Sequence, residues 1–169
     1  MSTEAQETTE MGTKPVAEHE WLQNLVGEWR VESEMVMGPN GEIARSEGTE
    51  SVRSVGGLWA VGDGRGTMPD GTPLTMMNGI GYDVSFKEYR AFWLMSASSH
   101  LWKSVGTLSD DGKTMTLDCE GPSMTEDGKT APYRDVIELI DADHRTLTAY
   151  HQDEKGGWQR MMKATYTRA

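Results

Sequence analysis

Tyr133, Asp135, His151 and Arg160 are the residues whose types and spacing point most directly to chemistry. An aspartate held against a histidine fixes the imidazole tautomer and lets it donate a hydrogen bond or carry a proton. An arginine beside such a pair takes two oxygens of a carboxylate or phosphate with its planar fork. His100 is a second imidazole, and Trp93 and Trp102 offer broad apolar faces. A few polar groups against an aromatic wall are what a small-molecule pocket requires. No nucleophile elbow, nucleotide fingerprint, HxH or HExxH spacing accompanies them, so no catalytic residue is assigned and no cofactor is expected. Two alternatives stay open: His151 or His100 as a haem or metal ligand, and an enzyme with Asp135–His151 as its general base.

Other candidates read as structure. The lone Cys119 excludes an internal disulfide and a multi-cysteine zinc site, and fits a small buried hydrophobe on a strand in a reducing, cytoplasmic setting. Gly62-Asp63-Gly64-Arg65-Gly66 has the glycine density of a phosphate loop but lacks the lysine-hydroxyl pair and the strand–loop–helix setting. Alternating glycine there marks a bent strand or close packing inside a barrel. His19 and His144 fall in a helix and a turn away from the cluster.

The elements that must position these residues are mostly strands. Trp21, Leu22 and Leu25 share one face of a short helix from Ala17 to about Leu25, closed by Gly27. Beyond it, Asn40-Gly41, Asp70-Gly71, Asp111-Gly112, Asp127-Gly128 and Gly156-Gly157 are hairpin signals, with weaker breaks between them. The turns delimit ten strands at approximately 28–37, 45–55, 58–68, 74–83, 88–96, 100–108, 113–120, 130–140, 145–152 and 158–167. No helical crossover interrupts them, so the fold class is all-β, antiparallel throughout. A single up-and-down barrel of about ten strands with a short N-terminal plug helix removes both sheet edges and is preferred over a sandwich.

Hairpins of a meander alternate between the two ends. Pro39, Pro69, Pro73, Pro122 and Pro132 gather at one end, with the long connection Gly121 to Lys129; tight turns and the helix gather at the other. That predicts a mouth and a sealed floor. A four-residue loop Glu154–Gly157 sets Leu147, Ala149 and His151 opposite Ala164, Met162 and Arg160. Similar matching sets Ile137 and Leu139 opposite Ala149 and Leu147, hence Asp135 opposite His151 with Tyr133 on the same face. Trp93 then lies opposite Trp102, and Met95 opposite His100. The expected ligand-binding set near the mouth is therefore Trp93, His100, Trp102, Tyr133, Asp135, His151 and Arg160, suited to a small, partly apolar and anionic molecule.

Composition bounds the partners. The chain has 169 residues, 16 Lys+Arg against 27 Asp+Glu, and a formal charge of −11. With no basic stripe, nucleic acid and anionic lipid surfaces are not expected partners. No apolar run is long enough to span a membrane as a helix. Residues 1–15 read as a disordered acidic tail and 16–169 as the barrel domain. Leu, Ile, Val and Phe make up only about 15% of the chain, a low share offset by 12 Met, 6 Trp and 5 Tyr. Such bulky, adaptable side chains suit a hollow or loosely filled barrel. Association into a homo-oligomer is left open.

A short helix followed by Leu25-Val26-Gly27-Glu28-Trp29 resembles the calycin superfamily of lipocalins and fatty-acid-binding barrels. That resemblance implies a tryptophan, Trp29, plugging one barrel end and stacking with an arginine of the last strand, here Arg168 beside Tyr166. Trp21, Trp29, Tyr166 and Arg168 are thus the expected plug. The longer pattern Met37-Gly38-Pro39, Gly57-Leu58-Trp59, Met68-Pro69-Asp70-Gly71, Gly81-Tyr82-Asp83, His100-Leu101-Trp102 and Tyr133-Arg134-Asp135 is similar to a bacterial family catalogued as domain of unknown function 1579. The likeness runs from about His19 to Tyr166 and implies the fold but no activity. Ten-stranded calycin relatives include the nitrobindins, which hold haem through a histidine; no histidine here aligns securely with theirs.

Overall fold

The computed structural model describes residues 11–169; residues 1–10 of the expected tail lie outside them. Ordered packing begins at Pro15, whose ring lies over Gly57: a Cβ there would approach Pro15 Cγ to 3.1 Å. Ten strands follow: β1 (Gly27–Met37), β2 (Glu42–Val55), β3 (Trp59–Thr67), β4 (Pro73–Asp83), β5 (Glu88–Met95), β6 (Ser98–Leu108), β7 (Thr114–Pro122), β8 (Thr130–Leu139), β9 (His144–Gln152) and β10 (Trp158–Arg168). Each pairs antiparallel with its chain neighbours, and β1 pairs β10, so the barrel closes as expected. Glycines of the predicted hairpins take left-handed φ, as at Gly41, Gly71, Gly112, Gly128 and Gly156. Gly56 and Gly57 both do so, at 62° and 72°, a backbone whose twist matches the strands it joins.

The helix differs in kind from the expectation. Ala17–Asn24 is a 3-10 helix. With three residues per turn, side chains three apart eclipse, and here that stripe is His19, Leu22 and Leu25, all buried. His19 is a strut: its Nδ1 accepts from the Val16 N–H at 2.9 Å, so Nε2 donates to the Tyr82 carbonyl at 3.1 Å. Trp21 donates to the Gly112 carbonyl at 2.9 Å and the Tyr89 hydroxyl to the Glu18 carbonyl at 2.7 Å, tying the helix across the floor turns. Above it Trp21, Leu22, Leu25, Trp29, Ile80, Met115 and Ile137 form one buried cluster. Each large side chain there contributes roughly 1.5–3 kcal/mol of burial.

Two irregularities alter the register. Between Arg160 and Met162 a bulge on β10 makes Gln159 the partner of His151 and Arg160 the partner of Tyr150. Between Trp93 and Met95 a second one pairs Met95 with Ser98, not His100. The β8–β9 hairpin is also shorter than the matching assumed: Ile137 pairs Leu147 and Tyr133 pairs His151, two residues from the expected register, so every inward face is kept while every partner changes.

The β6–β7 ladder is the shortest. It runs only from Val105–Leu108 against Met115–Asp118, although the strands continue to Ser98 and Pro122. Beyond its end the Trp102 indole lies on Gly121, where a Cβ would sit 2.1 Å from Cζ3. Only glycine permits that contact.

Candidate functional site

Inward-facing residues divide the lumen into two levels. At the floor, Trp29 pairs with Arg168 across the closing seam, and the Arg168 guanidinium carbon lies 4.2 Å from the indole centroid. Its nitrogens also donate to the carbonyls of Val26 (2.7 Å), Asn24 (3.2 Å) and Ala142 (3.1 Å). Tyr166 meets the Trp29 ring edge-on at 6.4 Å between centroids. The residues named from sequence as a plug thus converge at the sealed end.

Just above lies a buried polar centre that the sequence reading missed. Arg145 of β9 donates to Glu50 of β2 at 2.8 Å, both side chains nearly inaccessible, and Asn78 of β4 donates to the other Glu50 oxygen. The Arg145 guanidinium also covers Tyr166, 3.8 Å from its centroid, and lies 4.7 Å from that of Trp29. Burial pushes the Tyr166 hydroxyl well above its ordinary pKa, keeping it neutral. The signal was present in the glycine run: a Cβ on Gly62 would lie 2.6 Å from Glu50 Oε1 and 2.9 Å from Asn78 Oδ1. Glycine on β3 makes room for the charged pair, which is the close packing its alternation predicts.

Toward the mouth the wall is aromatic. Trp93 and Trp102 are direct ladder partners, and Trp102 meets both His100 and Tyr133 edge-on, with centroids 4.8 Å apart in each case. The Tyr133 hydroxyl donates to the Pro122 carbonyl. Cys119, paired with Tyr133, is half-buried, and burial raises its thiol pKa. His100 Nε2 and Trp102 Nε1 are buried without hydrogen-bond partners.

Asp135 stands between the two levels. Strand alternation points it inward between Leu117 and Ala149, and it interacts electrostatically with Cys119 on the mouth side and Tyr166 on the floor side. It makes no hydrogen bond or ion pair with the described residues. Burial alone lifts its pKa from 3.8 to about 6. It nevertheless keeps part of its surface accessible, as do Trp93, Trp102, His100 and His151. An inward side chain can be touched by solvent only where the lumen holds open space.

Several expected partners do not meet. Arg160 is exposed and, as the partner of Tyr150, lies on the outward face; the bulge breaks the alternation that had turned it inward. Asp135 pairs Ala149 while His151 pairs Tyr133, and the two make no hydrogen bond, so the general-base pair is not formed. Trp158 is outward too, stacked on Arg134, whose guanidinium carbon lies 4.5 Å from the ring centroid and which is bonded to Asp118 at 2.6 Å. Among the described residues no three His, Cys, Asp or Glu side chains cluster with metal-ligand geometry. A concavity of about 830 Å³ lies over β10, β1 and β2, lined largely by outward residues including Glu32, Glu34 and Glu47 with Arg45 and Lys163. Its one recorded ion pair, Arg45–Glu34 at 3.3 Å, is solvent-washed and contributes little.

Ten antiparallel strands closed around an aromatic lumen, with a helical plug at one end, define a barrel of the lipocalin or calycin-like type. Two solved structures share the fold over nearly their whole length. Rv2717c from M. tuberculosis is 15% identical, covering 91% of this chain and 98% of that one with a TM-score of 0.63. The S-type phycobiliprotein lyase CPES from Guillardia theta is 12% identical, covering 91% and 93% with a TM-score of 0.59. The sequence matches the family described as protein of unknown function (DUF1579) over residues 14–168, and the chain belongs to that family. No curated protein matches it significantly.

Proposed function

We propose that the barrel is a non-catalytic binding module that takes a small, largely apolar molecule into the mouth half of its lumen. The observation that carries this reading is the contrast between levels. Trp29, Leu22 and Met115 are sealed at the floor, while the inward-facing Trp93, Trp102 and Asp135 keep accessible surface. Apolar walls with few polar groups supply affinity and orientation. The two unpartnered ring nitrogens, His100 Nε2 and Trp102 Nε1, add donors or acceptors that an occupant or water would satisfy. An anionic ligand loses its anchor, because Arg160 lies outside the lumen. A cytoplasmic setting belongs to the same proposal, supported by the single unpaired Cys119.

The test is a panel of small apolar compounds screened by thermal shift and by quenching of tryptophan fluorescence, followed by titration of each hit. Trp102→Ala and Trp93→Ala should each weaken binding by about tenfold or more, consistent with loss of one aromatic contact. Unchanged affinity of every hit in both variants overturns the site. A Soret band in the purified protein that disappears in His151→Ala or His100→Ala replaces the reading with haem binding.

A further inference from the structure

We infer that the molecule held in the lumen carries a basic nitrogen, which Asp135 receives as a cation while Trp93, Trp102 and Tyr133 pack its apolar body; this rests on the lumen-binding reading above. The argument begins with charge. Of the charged side chains at the two levels described, Glu50 is matched by Arg145 at 2.8 Å, and Arg168 is engaged at the floor with three carbonyls and the Trp29 ring. Asp135 has no counter-charge and no hydrogen-bond donor. Its ladder neighbours are Leu117 and Ala149, neither of which offers one from its side chain.

A carboxylate so placed favours one chemical class. In surroundings less polar than water an opposite charge gains more from it, and a like charge is repelled more strongly. An ammonium or protonated heterocycle also gains from aromatic faces, the geometry recurrent in sites for organic cations. Trp93 and Trp102 face inward as direct partners on adjacent strands, and the Tyr133 ring stands edge-on to Trp102. Tyr133 lies on the same strand face as Asp135, two residues away. Carboxylate and rings therefore line one accessible level of the tube. The small Ala149 side chain beside Asp135 leaves its oxygens unobstructed by bulk from β9.

Three isosteric probes test this: phenylbutylamine, phenylbutanol and phenylbutyrate, titrated calorimetrically at neutral pH into the wild-type protein and Asp135→Asn. The amine should bind wild-type protein about tenfold or more tighter than the alcohol, and the carboxylate most weakly. In Asp135→Asn, which keeps the side-chain shape, that preference should fall to within about twofold. Equal binding of the three probes to wild-type protein, or a preference for the carboxylate, overturns the inference while leaving lumen binding intact. An amine preference undiminished in Asp135→Asn assigns the charge to another group and overturns it as well. Failure of all three probes to bind at millimolar concentration overturns the lumen reading itself, and this inference with it.

Discussion

Arg145 and Glu50 come from strands 95 residues apart in sequence and meet inside the barrel at 2.8 Å, with side chains only 5% and 7% accessible. Such a pair is costly to bury and costlier to break. Glu50→Ala should therefore destabilise the fold by about 3–5 kcal/mol in denaturant melts, because Arg145 is left as an uncompensated buried charge. Replacing both, Glu50→Leu with Arg145→Met, should restore much of that loss, since the desolvation cost of both ions is removed. A double variant no more stable than Glu50→Ala would contradict the account.

Arg168 closes the floor through its shape as much as its charge. Arg168→Ala removes the stack on Trp29 and the bonds to the Asn24, Val26 and Ala142 carbonyls, and should cost about 2–4 kcal/mol in thermal or chemical unfolding. Arg168→Lys should recover less than half of this, because an ammonium cannot reach three carbonyls in a plane while stacking.

Asp135 makes stability depend on pH in a predictable direction. Its folded pKa of about 6 lies above the ordinary 3.8, so the folded state holds the proton more tightly. Asp135 is thus least costly to the fold below about pH 4, and its cost is fully developed once the pH has risen through about 6. Asp135→Asn should accordingly stabilise the protein at neutral pH by on the order of 1–3 kcal/mol, reduced from the full shift by solvent in the lumen. The gain should vanish near pH 4. Cys119 on β7, Arg145 and His151 on β9 and Tyr166 on β10 are common to both proteins, so their titration largely cancels in the difference.

Cys119 reports on occupancy of the lumen. Burial raises its thiol pKa, so reaction with a disulfide reagent at mildly alkaline pH should be slower than that of free cysteine by about tenfold or more. A bound molecule beside Tyr133 should slow it further. Release of the coloured thiolate, followed with and without the ligand, measures both effects.

The faces of the strands were more legible in sequence than their partners. Trp29 opposite Arg168, Trp93 opposite Trp102, and Leu147 opposite Ala164 all follow from hydrophobic alternation and closure. Alternation cannot reveal a bulge, since one extra residue changes no composition; Arg160 was lost from the lumen for that reason. Nor can it resolve a shift of two, which preserves every face; Asp135 was therefore matched to His151 instead of Ala149. Glu50 and Arg145 escaped notice because a buried charge has the same letter as a surface one. Only the glycines that make space for them, Gly62 above all, distinguish the two cases.

The short ladder between β6 and β7 sets where the tube is compliant. Other joints are laced by six to eleven residue pairs, as at β5–β6 and β1–β2; this one has four. Strain carried around the hoop concentrates where rungs are fewest, so transient opening begins beside β6. That strand carries Trp102, and the indole resting on Gly121 spans the slack sector. The wall that grips an occupant is thus also the wall that yields first, and exchange of an occupant can proceed through the barrel's side as well as along its axis.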